Sequence, residues 1–133
     1  MKSKQVLSVE QMKHLQEIGL ELRNTSMLLW YKQMLGKIPI SDWELSVGRE
    51  SLFSEDHVYP AYTLQDILDK LPCFIGNEVL TIQKLADSYT CLYMEPYSRS
   101  MINITESKEL IDAVYDMLCW CIENGYVKVG KEE

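Results

Sequence analysis

Between Thr105 and Tyr126 the apolar positions Leu110, Ile111, Val114, Tyr115, Leu118, Cys121 and Ile122 recur at helical spacing and sweep out one broad arc. That arc predicts an amphipathic helix lying across a sheet. Thr105 or Ser107 is placed to cap its first amides, and Glu106 and Glu109 stand where the helix dipole favours negative charge. Gly125 follows the last periodic residue as a left-handed C-cap would, which folds Tyr126 back over Cys121.

Upstream the periodicity is shorter. Ser8 with Gln11 forms a capping-box pattern, and Val9, Met12, Leu15 and Ile18 give one apolar side to a first helix of about ten residues. Gly19 stops that helix, with Leu20 set to contact Leu15. Met27 to Tyr31 is apolar at both parities, as in a strand covered on both faces. Trp43, Leu45 and Val47 alternate with Glu44, Ser46 and Gly48, so a reversal near Met34 to Lys37 predicts a hairpin. Between Gly48 and Tyr59 the pattern is mixed, with Leu52-Phe53 and Val58-Tyr59 as short pairing candidates. Thr63 and Asp66 repeat the capping pattern ahead of Leu64, Ile67, Leu68 and Leu71, and Pro72 limits that helix to two turns. Val79 to Leu85 and Tyr89 to Met94 flank Ala86-Asp87-Ser88 and predict a second hairpin; a short strand is expected at Met101 to Ile104.

The expected fold is therefore α+β. An antiparallel sheet of four to five strands, built from two hairpins, packs with a long C-terminal helix, a short N-terminal helix and a two-turn middle helix. The 133 residues form a single domain, 1–133, with residues 1–7 and 130–133 frayed.

Composition narrows the function. Hydrophobic residues make up 47% of the chain, which is globular and not disordered. The net charge is −7, yet residues 1–37 carry six Lys/Arg against three Glu, so the acidic excess lies downstream. Such a surface repels a phosphate backbone and argues against nucleic acid, and no apolar run approaches the ~20 residues that span a bilayer. No leader pattern opens the sequence, and Cys73, Cys91, Cys119 and Cys121 lack disulfide spacing, so free thiols and a cytoplasmic location are expected.

Pro60 to Leu68, Gln11 to Leu15, and Met117 to Trp120 through Glu123 to Tyr126 together resemble a group of small uncharacterised proteins of gut bacteria and their prophages or other mobile elements. The resemblance touches both ends and the middle, and residues 32–58 and 77–104 lie outside it. It implies an accessory or regulatory setting and supplies no catalytic residue.

Chemistry is sparse. Cys119 and Cys121 diverge by about 200° on a helix and cannot chelate one ion by themselves, and no C-x-x-C or H-x-x-x-H spacing occurs, so no metal is expected. Glycines stand singly at turns and caps, which leaves no phosphate loop and no cofactor motif. His14 reads as a surface or boundary residue of the first helix. An enzymatic alternative, a small hydrolase or transferase, would need a site assembled by the fold around His57 or Cys73.

One constellation stands out. Glu109, Asp112, Asp116 and Glu123 fall within about 60° of one another on the C-terminal helix, and Trp120 projects into the same sector. Either the first helix or residues 127–129 cover Trp120, or it anchors a protein partner whose basic surface the carboxylates select. The expectation is a non-enzymatic interaction or regulatory protein, with self-association through a strand edge or the Trp120 face as a further option.

Overall fold

The computed structural model describes residues 4–20, the strand backbones between residues 27 and 60, and residues 61–128. In chain order the elements are α1 (Val9–Glu17), β1 (Met27–Tyr31), β2 (Met34–Leu35), β3 (Ile38–Pro39), β4 (Trp43–Val47) and β5 (Val58–Ala61). Then come α2 (Leu64–Lys70), β6 (Phe74–Ile75), β7 (Glu78–Lys84), β8 (Tyr89–Met94), β9 (Met101–Ser107) and α3 (Leu110–Glu123). The fold is α+β, with an antiparallel four-stranded sheet ordered β6-β7-β8-β9.

The second hairpin, β7-β8, makes the middle of that sheet in the register Leu80↔Tyr93, Ile82↔Cys91 and Lys84↔Tyr89. The first hairpin, β1-β4, belongs to a separate three-stranded sheet ordered β4-β1-β5. Pro60 is accommodated there because β5 is an edge strand, where a missing N–H breaks no second ladder. The expected pairing at Leu52-Phe53 falls outside the described residues, whereas Val58-Tyr59 pairs with β1.

Both capping boxes form. Ser8 accepts from the Gln11 amide at 3.1 Å while its own amide donates to Gln11 Oε1 at 2.9 Å. Thr63 and Asp66 do the same at 3.2 and 3.0 Å. Each box satisfies amides that the first helical turn leaves without partners. At the C-terminus of α1, Gly19 sits at φ 108° and the Leu20 amide reaches the Leu15 carbonyl at 3.0 Å, closing the helix.

The start of α3 differs from the sequence expectation. Thr105 and Ser107 are not its caps; they extend β9, opposite Cys91 and Tyr89 of β8, so the strand runs to residue 107 and not 104. Pairing with a complete neighbouring strand satisfies more backbone groups than one additional helical turn would, and the helix begins at Leu110 with Glu109 as N-cap. Ser107 still accepts the Glu109 amide at 3.3 Å. The Thr105 hydroxyl donates to the Ala113 carbonyl at 2.7 Å and ties the strand to the helix above it.

Helix α3 buries Val114, Met117, Leu118 and Cys121 against Cys91 and Tyr93 of β8, with Tyr62, Ile67, Leu71, Met12, Leu15 and Leu7 closing the core around it. At roughly 1.5–3 kcal/mol for each large apolar side chain fully buried, this one helix organises much of the stability. Tyr93 is fully buried, and its hydroxyl donates to the Pro72 carbonyl at 2.7 Å, which satisfies the phenol where α2 ends.

Residues 4–7, expected to be part of a frayed start, are bonded. Val6 bridges Thr63, the Leu7 amide donates to the Tyr62 carbonyl at 3.0 Å, and Leu7 is fully buried. A short, largely polar lead-in carries no periodicity, so its anchoring is a tertiary effect.

Candidate functional site

The acidic stripe of α3 divides into two halves with different employment. In the first turn, Glu109 Oε1 accepts the Lys4 amide at 3.0 Å. Asp112 Oδ1 accepts from Lys4 Nζ at 2.8 Å and from Gln11 Nε2 at 2.9 Å, and Lys4 Nζ also donates to Gln11 Oε1 at 2.7 Å. Gln11 therefore serves the capping box of α1 and the contact to α3 at once. Glu109 and Asp112 strap the N-terminal segment to the long helix, and their charge is spent inside the molecule.

Asp116 and Glu123 behave otherwise. Both are exposed, and neither has a salt bridge among the described residues. They lie one turn before and one turn after Trp120 on the same surface of α3. Partial burial pushes the Asp116 carboxyl above its ordinary range, and the nearby Asp112 charge adds to the effect. Asp112 is held in place by Lys4, so its repulsion of Asp116 is built in.

Trp120 is half-buried and packs on the margin of the core. Among the described residues its stacking partner is Tyr126, and not a residue of α1, Val127 or Lys128; Val129, also expected to cover it, lies outside the described residues. The two rings stack with centroids 5.3 Å apart and planes 23° from parallel. The backbone makes this arrangement. Gly125 adopts φ 82°, the Tyr126 amide returns to the Cys121 carbonyl at 2.8 Å, and the chain reverses over the last helical turn. Asn124 Nδ2 donates to the Trp120 carbonyl at 2.8 Å and fixes the same turn from the side. Tyr126 remains 46% exposed, so the stack presents an aromatic platform to solvent with a carboxylate on either side along the helix. The backward fold of Tyr126 follows from Gly125 in the sequence; that its ring would reach Trp120 was missed, because ring placement depends on the side-chain rotamer.

Of the two residues of the enzymatic alternative, the structure describes one. Cys73 is exposed in the turn between α2 and β6, and His57 lies outside the described residues. Cys91, Cys119 and Cys121 are buried free thiols. Burial pushes Cys91 up to about 12 and Cys119 and Cys121 up to about 11, the opposite of what a nucleophilic thiolate requires. Among the described residues no group of three or more His, Cys, Asp and Glu could hold a metal ion. No helix of the described residues is long and apolar enough to cross a membrane.

In comparisons with known proteins, the chain matches no family model, no curated protein and no solved structure.

Proposed function

We propose that this chain is a non-enzymatic interaction protein that docks a basic segment of a protein partner on the surface formed by Trp120, Tyr126, Asp116 and Glu123. The observation that carries the reading is the stacked pair of rings, left partly open to solvent and flanked by two carboxylates that bond to nothing among the described residues. An aromatic face attracts a guanidinium or ammonium through its quadrupole, and neighbouring carboxylates add charge and direction. Trp and Tyr are also the side chains that interface centres favour. The resemblance noted above fits a role as an accessory or regulatory product of a mobile element.

Selection of binders from a random peptide display library tests this. Arg- or Lys-containing peptides should be enriched on the native protein and should bind at least ~10-fold more weakly to Trp120→Ala and to the Asp116→Asn/Glu123→Gln double variant, from the loss of about 1–2 kcal/mol. Enriched peptides without basic residues, or basic peptides whose affinity survives both variants, would overturn the proposal.

A further inference from the structure

Tyr126 has a second neighbour besides Trp120. Its side lines an open groove of about 350 Å³, together with Leu20, Lys70, Leu71, Pro72, Val127 and Lys128. The groove lies where three helices end: Leu20 follows α1, Lys70 to Pro72 close α2, and residues 126–128 follow α3.

Its charge is unlike that of the molecule as a whole. In a chain of net charge −7, the charged residues that line the groove among the described residues are Lys70 and Lys128, with no carboxylate among those. Neither lysine forms a salt bridge among the described residues; Lys70 Nζ rests 5.2 Å from the centroid of the Tyr62 ring. The lysines are not required to satisfy the carbonyls at the ends of α1 and α3. Backbone amides already do so, from Leu20 to Leu15 and from Tyr126 to Cys121. Two cations therefore flank an apolar floor of Leu20, Leu71, Pro72 and Val127, a combination suited to an apolar side chain with a carboxylate beside it.

We infer that the groove seats an apolar residue and an adjacent carboxylate from the same partner segment whose basic residue occupies the Trp120 platform. This rests on the reading of that platform as a docking surface. Because Tyr126 is a wall of both places, one short segment passing over it meets acidic groups on the helix side and basic groups on the groove side. The partner sequence is thus ordered by charge: basic, apolar, acidic.

The test is a titration followed by nitrogen-proton NMR with three acetylated, amidated hexapeptides. The parent is Gly-Arg-Gly-Leu-Glu-Gly; one analogue replaces its Glu by Gln, the other its Arg by Gln. The parent should shift both the Trp120 indole signal and the Val127 and Lys128 amides. The Glu-to-Gln analogue should keep the indole shift, lose the groove shifts and bind several-fold to about ten-fold more weakly. Lys70→Gln/Lys128→Gln should weaken the parent by the same factor and leave the Glu-to-Gln analogue unaffected. If that analogue and the parent bind alike with Val127 unmoved, the groove inference falls while the platform stands. If the parent moves neither set of signals, both fall. A Glu132→Gln/Glu133→Gln variant whose Val127 amide shifts before any peptide is added would assign the groove to the chain's own C-terminal residues and overturn the inference.

Discussion

Asp112 and Asp116 are one turn apart on the same helix, yet their surroundings give them opposite energetic signs. Asp112 accepts from Lys4 and Gln11, while Asp116 faces the Asp112 charge in a partly dehydrated setting. Replacing Asp112 by Asn should therefore cost about 1 kcal/mol and lower Tm by several degrees, because the Lys4 ammonium loses its anionic partner and the bonds from Lys4 and Gln11 lose their charge assistance. Replacing Asp116 should not lower Tm at pH 7. A carboxyl whose folded pKa is raised stabilises fully below its unfolded value and loses that contribution as pH rises through the folded one, so at neutral pH the Asp116 charge opposes folding. Thermal melts of Asp112→Asn and Asp116→Asn at pH 7 check the contrast; equal losses would contradict it. The same carboxylate leaves a mark on its neighbour. In a Trp30→Phe/Trp43→Phe background, Trp120 emission should be quenched more efficiently by caesium than by iodide, since Asp116 and Glu123 concentrate cations and repel anions at short range. Equal quenching by the two ions, or greater quenching by iodide, would mean that the carboxylates do not face the ring.

At the level of elements, the legible features were those whose cause is local. The boxes at Ser8/Gln11 and Thr63/Asp66 need three consecutive peptide units and a short polar side chain, so the sequence alone discloses them. Gly19 and Gly125 announce helix ends for the same reason. Thr105 and Ser107 read as caps in the sequence, and their place in β9 was not legible, because it is decided by β8 lying alongside and not by the local sequence. The strap from Lys4 to Glu109 and Asp112 was not legible, since it joins positions more than a hundred residues apart with no periodicity to signal it. Of the candidate site, the helical sector was legible and its division between internal and outward employment was not. The energetic ranking follows from these contacts. Ser8→Ala and Thr63→Ala should each destabilise by about 1 kcal/mol through loss of a cap. Leu118→Ala, which empties a fully buried position where α3 meets the core, should cost 2–5 kcal/mol in chemical denaturation, by the order of large-to-small core changes. A Leu118→Ala penalty below that of either cap variant would mean that α3 does not organise the core.

Across the whole molecule, the placement of the thiols makes the integrity of the fold measurable. Cys91 on β8 and Cys121 on α3 are sealed between sheet and helix, Cys119 is buried on another side of the same helix, and Cys73 is exposed. Burial raises the three enclosed thiols well above their ordinary value of 9.0, Cys91 to about 12, and raises the Tyr62 phenol to about 12. Groups whose folded pKa exceeds the unfolded one leave stability intact below pH 9 and remove it progressively as pH climbs through the window between the two values. Tm should accordingly hold between pH 7 and 8.5 and fall steadily above pH 9. At pH 8 a disulfide reagent should titrate one thiol quickly, the fast phase should vanish in Cys73→Ser, and the other three should react together at a rate set by opening of the sheet-helix core. Staggered release of the three would instead show that α3 peels from β8 in steps; two or more fast thiols would mean that the long helix does not close over the strand at all.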